Sequence, residues 1–188
     1  MSNKKTVNLK LIILGDKGIG KTTLIKDYIQ SLNSNNQNKD KKEKEYKYTF
    51  SKELDSTQLK ITIYEFSERS EKATKDINDC HCVLILFDMA NRKSFENLLD
   101  NWLIYLRDIC HYKRLVFIFG NHFLRSNSLM TDEDEIKEMI KVSEVKCEFH
   151  NIGKNELFEN NDIINKLIEN AFALTKNNIL NKKDCVIF

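Results

Sequence analysis

The residues whose types and spacing promise most chemistry are "GDKGIGKT", Gly15 to Thr22, which meet the phosphate-binding pattern G-x-x-x-x-G-K-[ST] at every fixed position. Gly15, Gly18 and Gly20 let the backbone turn tightly and aim N–H groups at an anion, and a helix starting behind them adds its positive end. Lys21 supplies charge to β- and γ-phosphates, and the Thr22 hydroxyl is a ligand for Mg²⁺. The cradle read this way comprises Gly15, Asp16, Lys17, Gly18, Ile19, Gly20, Lys21, Thr22 and Thr23. The alternative is a glycine-rich turn with a solvated lysine; a strand before the loop and a helix after it weigh against that. Cys80, His81 and Cys82 with Cys110 and His111 invite a zinc reading. No C-x₂-C pair exists, and strand alternation would turn His81 away from both neighbouring cysteines, so core packing is the better reading. His150 has no recognisable nucleophile partner.

The elements that must position the cradle are legible on both sides of it. "VNLKLIIL", 7 to 14, is a β-rich run ending at glycine, and Leu24, Ile25, Tyr28, Ile29 and Leu32 recur at helical spacing. The polar stretch 31 to 45 reads as a mobile surface loop, its lysines interleaved with acids. "YKYTFSKEL" and "LKITIYEF" flank the turn residues Asp55, Ser56 and Thr57 as an antiparallel hairpin. A second polar stretch, 67 to 79, precedes "CVLILFDM", a continuously apolar strand buried on both faces. Ser94 is the expected cap of the next helix, whose buried stripe is Phe95, Leu98, Leu99, Trp102, Leu106 and Ile109. "RLVFIFGN" is another buried strand, Thr131 the expected cap of "TDEDEIKEMI", and "VKCEFHNI" the last strand. Ile163, Ile164, Leu167, Ile168, Ala171 and Phe172 mark a final helix. This alternation predicts an α/β fold with a single doubly wound, mostly parallel sheet, one antiparallel hairpin strand, and ligand at the carboxyl ends of the strands.

Length and composition bound the function. The 188 residues suit one domain, 1 to 175, with a flexible tail, 176 to 188. Charged residues are 31% of the chain yet the net charge is only +2, which argues against a nucleic-acid partner. Five cysteines without a signal peptide read as a reduced, cytosolic protein, and no apolar run is long enough to span a bilayer.

A first-strand phosphate loop in a one-domain chain of this length resembles the Ras superfamily of small GTPases. "LILFDMANRKSFENLLDNW", 84 to 102, resembles the Rab branch in particular, and the likeness covers residues 7 to 175, weakly between 31 and 58. It implies the P-loop small GTPase fold, GTP or GDP with Mg²⁺, and regulatory and effector proteins as partners.

The same resemblance exposes departures. Where the family carries a switch-one threonine, counting back from the hairpin without gaps places Glu43, which would repel a triphosphate. The family's Asp-x-x-Gly-Gln stands here as "EFSER", 65 to 69. Glu65 keeps a carboxylate that could hold a Mg²⁺-bound water, Glu68 replaces the glycine that closes on the γ-phosphate, and Arg69 replaces the water-orienting glutamine. Lys17 stands where the family favours a small residue. The base-recognising Asn-Lys-x-Asp appears as "NHFL": Asn121 is retained, His122 offers a stacking surface, and Leu124 cannot accept the guanine N–H bonds. "NIGK", 151 to 154, stands near the family's third base loop. No catalytic residue is assigned, and hydrolysis is expected to be slow or absent.

The terminal "CVIF" matches C-a-a-X prenylation at Cys185, with geranylgeranyl the expected lipid. A single lipid beside Lys176, Lys182 and Lys183 implies the cytoplasmic face of a membrane in exchange with cytosol. The first reading is a Rab-like GTP-binding protein of vesicle traffic or signalling. The alternatives are a pseudo-GTPase interaction module with static or no nucleotide and, behind both, a phosphate-loop ATPase.

Overall fold

Strand β1 (Thr6–Leu14) passes from a half-exposed start to full burial from Leu11 onward, as a run of branched aliphatics at a sheet centre must. The computed structural model describes residues 6–34, 42–44, 46–110, 115–121, 131–152 and 160–176. His122, Leu124, His111, Gly153, Lys154 and Cys185, and the side chains of Glu43 and Cys110, lie outside the described residues.

The remaining elements are α1 (Lys21–Ser34), β2 (Lys42–Lys44), β3 (Lys47–Leu54), β4 (Thr57–Phe66), α2 (Glu71–Asn78), β5 (Cys82–Asp88), α3 (Arg92–Asn97), a π-type turn (Leu98–Leu103), α4 (Ile104–Cys110), β6 (Leu115–Asn121), α5 (Glu133–Ser143), β7 (Cys147–Ile152) and α6 (Asn160–Lys176). Among the described residues seven strands lie in the order β2-β3-β4-β1-β5-β6-β7. β3 is antiparallel to both neighbours and every other pair is parallel, so the expected α/β sheet with one reversed hairpin strand is present.

Two apolar layers hold the sheet. Alternate residues of β1, Leu9, Leu11 and Ile13, face α1 and α6, where Tyr28, Ile29, Ile164, Leu167 and Ile168 are buried. Ile12 and Leu14 face the other way, against α2, α3, the π turn and α5 through Ala73, Ile77, Phe95, Trp102 and Ile136. β1 lies between β4 and β5, and the helices that follow β1 and β4, α1 and α2, pack on opposite faces, which opens a crevice at the strands' carboxyl ends. Gly15, Ser67 and Asn121 all stand at that edge.

Several local expectations are corrected. The stretch 31 to 45 is not one loop: residues 31 to 34 complete α1, held by buried Leu32, and 42 to 44 pair with Lys47, Tyr48 and Thr49 as β2. Thr57 begins β4 and pairs with Leu54; the turn is Asp55–Ser56 alone, with φ of 47° and 60°, the two positive values a two-residue hairpin needs. The polar stretch 67 to 79 hides α2, which buries only Ala73 and Ile77, and Ser70 caps it by accepting from the Ala73 N–H. Asn91, not Ser94, caps α3 by accepting from the N–H groups of Lys93 and Ser94, because the Ser94 hydroxyl is turned inward to accept from the Asp88 N–H. Asp132, not Thr131, caps α5, taking the Glu135 N–H at 2.7 Å. His81 precedes β5 instead of lying in it: its Nδ1 accepts from the Lys10 N–H at 3.1 Å.

Candidate phosphate and metal site

Gly15, Gly18 and Gly20 take φ of 140°, 84° and 97°. Gly15 is the most constrained, since a Cβ there would stand 2.2 Å from the Leu86 carbonyl oxygen. The β1–α1 loop is therefore a backbone feature that glycine alone permits, leading straight into the amino end of α1.

Lys21 lies inside this loop with only 4% of its surface exposed. Its ammonium donates to the carbonyls of Gly15 at 2.8 Å and Asp16 at 2.7 Å, and to the Ser67 hydroxyl at 2.8 Å. Burial pulls its pKa down to about 8, and the nearby charges of Glu65 and Asp16 oppose that shift. The geometry thus holds a positive charge, partly stripped of water, at the mouth of the loop, where an anion would be attracted most strongly.

Beside it the Thr22 hydroxyl donates to the Glu65 carboxylate, 2.9 Å from each oxygen. The Tyr48 hydroxyl donates to Oε1 of the same carboxylate at 3.2 Å, and Glu65 is buried. A hydroxyl and a carboxylate in contact form an all-oxygen donor pair, the chemistry a hard cation such as Mg²⁺ requires. The Asn121 amide donates to the Ile19 carbonyl at 3.2 Å, tying the end of β6 to the loop. Ile19 is buried, while Lys17, Thr22 and Thr23 are on the exposed side of the loop.

The structure thus brings Gly15 through Thr23, Glu65 and Asn121 to one edge of the sheet. Sequence reasoning missed four of their contacts. Ser67 and Tyr48 touch Lys21 and Glu65, and Asp16 accepts from the Asn97 amide at 2.9 Å and the Trp102 indole N–H at 3.2 Å. Trp102 is core, as its spacing implies, yet its one polar atom faces the cradle. Arg69 turns away from Lys21: Nε donates to the Asn101 carbonyl at 2.8 Å and Nη2 to the Asp100 carbonyl. Among the described residues no three His, Cys, Asp or Glu side chains form a metal-binding group, and no helix is long and apolar enough to cross a membrane.

Comparison with known proteins agrees with this architecture. A model described as "Ras family" matches residues 10–180. The GTP-binding protein YPTC5 of Chlamydomonas reinhardtii is 35% identical over 107 residues, 54% of this chain and 50% of that protein. The GTP-binding protein yptV5 of Volvox carteri and the Ras-related protein Rab-7a of Dictyostelium discoideum are each 31% identical with the same coverage. The chain spans about half the length of the curated relatives it matches. The extent of the family match, with Rab and Ypt proteins among the relatives, establishes that this chain belongs to the Ras superfamily of small GTPases, in its Rab branch.

Proposed function

We propose that this chain is a GTP-binding protein of membrane traffic or signalling that retains guanine nucleotide and hydrolyses GTP weakly or not at all. Members of its family bind GTP or GDP with Mg²⁺, and the observation that carries the reading is Lys21, buried in a glycine-built loop with its ammonium aimed at the cradle. Gly15 to Thr23 would hold the phosphates, Asn121, His122 and Leu124 would meet the base, and Thr22 and Glu65 would hold Mg²⁺. The ion supplies charge to the phosphates. This chain's residues orient them and keep water from Lys21.

The proposed domain runs from 1 to 175 and the tail from 176 to 188, with a geranylgeranyl group on Cys185 bringing the protein to the cytoplasmic face of a membrane. Regulators and effectors are the proposed protein partners. A Cys185→Ser variant should move from the membrane fraction to the soluble one in cells; persistence on membranes would refute the lipid.

A second reading, a pseudo-GTPase that holds nucleotide statically or not at all, is favoured by Arg69, whose guanidinium is engaged with helix carbonyls instead of facing the cradle. Calorimetric titration of the nucleotide-stripped chain with GTP, GDP and ATP plus Mg²⁺ decides. Tight guanine binding that exchanges with free nucleotide supports the first reading, and heat from none of the three, or bound nucleotide that does not exchange, leaves the second.

A further inference from the structure

We propose that Arg69 is a positioning residue: it fastens the segment between β4 and α2 to the π turn, and through that turn to Asp16, so that it governs nucleotide release. The claim about release rests on the nucleotide-binding reading above; the fastening itself does not.

The π turn supplies the anchor. The Ile104 N–H reaches back five residues to the Leu99 carbonyl, the wide spacing that re-aims neighbouring backbone groups. The Asp100 and Asn101 carbonyls accept from Arg69 there, and charge-assisted bonds to carbonyls are stronger than neutral ones. The guanidinium also lies 5.4 Å from the centre of the Tyr105 ring. The Tyr105 hydroxyl is 2.7 Å from the Thr74 hydroxyl and 3.3 Å from the Ser70 carbonyl, so the same anchor grips the start of α2.

From the turn a hydrogen-bonded chain continues inward. The Asn101 amide donates to the Asn97 side-chain oxygen at 3.0 Å, and the Asn97 amide donates to Asp16 at 2.9 Å. Trp102, from the turn itself, donates to the other Asp16 oxygen at 3.2 Å. At its near end the fastened segment carries Ser67, which accepts from Lys21. Arg69 is thus joined to the cradle by two routes, through Ser67 along the chain and through Asn101, Asn97 and Asp16 across it. A glutamine, whose two N–H donors sit on one nitrogen and which carries no charge, lacks both the spread fork that spans the two carbonyls and the cation that lies over Tyr105.

Hydrogen exchange on the full chain, nucleotide-free and GDP-loaded, tests this with Arg69→Ala and Arg69→Lys. In Arg69→Ala without nucleotide, amides of 68 to 78 should exchange at least about tenfold faster, the low end of what losing two solvent-exposed bonds to a charged group implies. Amides of β5 and α6 should keep their rates. Bound GDP should leave about fivefold faster, the low end of coupling between linked sites, with the thermal midpoint of the nucleotide-free chain lower by only a few degrees. Arg69→Lys, which keeps the charge but not the fork, should recover part of both effects. Unchanged exchange over 68 to 78, or acceleration throughout the molecule, would overturn the fastening. Faster exchange with unchanged GDP release would overturn the link to the cradle. Absence of GDP binding by the unaltered chain would instead sink the nucleotide reading and the release claim with it, while the exchange result still judges the fastening.

Discussion

Two segments meet at the Lys21 ammonium and are built on different terms. The loop from Gly15 to Gly20 owes its shape to backbone: three positive-φ glycines, one pressed against the Leu86 carbonyl, and contacts through main-chain oxygens. The end of β4 and the segment after it owe their place to side chains: Glu65 held by Thr22 and Tyr48, Ser67 on Lys21, and Arg69 on the π turn. Holding a phosphate needs the first kind of structure, whereas orienting an attacking water needs particular side chains of the second. A chain can therefore exchange the residues of turnover while its cradle stays intact.

The cradle side of this comparison breaks hardest at Lys21. Lys21→Ala removes the one buried positive charge of the loop, and nucleotide retention should fall by at least about a hundredfold, the scale of losing charge-assisted bonds in a desolvated site. Filter-binding or calorimetry measures it, and retention equal to the parent would mean that the loop is not the cradle. Leu124→Asp addresses the base and should raise preference for GTP over ATP by about a hundredfold, the return of two hydrogen bonds to a charged acceptor. No gain would mean that the base is recognised by other residues.

The lowered pKa of Lys21 yields a pair of opposite trends. Its folded-state value, about 8, lies below the ordinary 10.5, so between these limits the unfolded chain binds more protons. The Lys21 contribution thus makes stability rise with pH from about 8 to 10.5, and its full burial cost is present below that window. Phosphate affinity should do the reverse, steady below pH 8 and weakening by up to about tenfold per unit above it as the free cradle loses its charge. Titrations at pH 7, 8 and 9 with thermal melts on the same samples test this, and affinity rising with stability would contradict it.

Legibility followed the same division. The loop, β1, α1 and both apolar layers were readable because glycine spacing and apolar periodicity are local signals. β2 and α2 were not. β2 is three polar residues whose register comes from β3, and α2 shows only Ala73 and Ile77 to the core, too narrow a stripe to stand out from a polar stretch. The caps failed for a related reason: at both α3 and α5 the residue expected to cap is buried, and a more exposed Asn or Asp does the work. The contacts of Tyr48, Asn97 and Trp102 join residues far apart in sequence, and no spacing rule announces them.

The smallest effect belongs to the substitution that looks most restorative. Arg69→Gln returns the side chain by which the family orients water, yet single-turnover GTP hydrolysis should rise by less than about threefold, under 1 kcal/mol of barrier. Glu68 still occupies the glycine's place in "EFSER", so the backbone closure expected of the family is unsupported on the residue immediately before. Glutamine would also give up the Asp100 and Asn101 carbonyls and the Tyr105 ring, freeing the segment that should hold it in line. A catalytic group gains rate only when its position is fixed beforehand. A rise of a hundredfold or more would show that Arg69 alone silences hydrolysis and that the side-chain-built segment needs no rebuilding to catalyse.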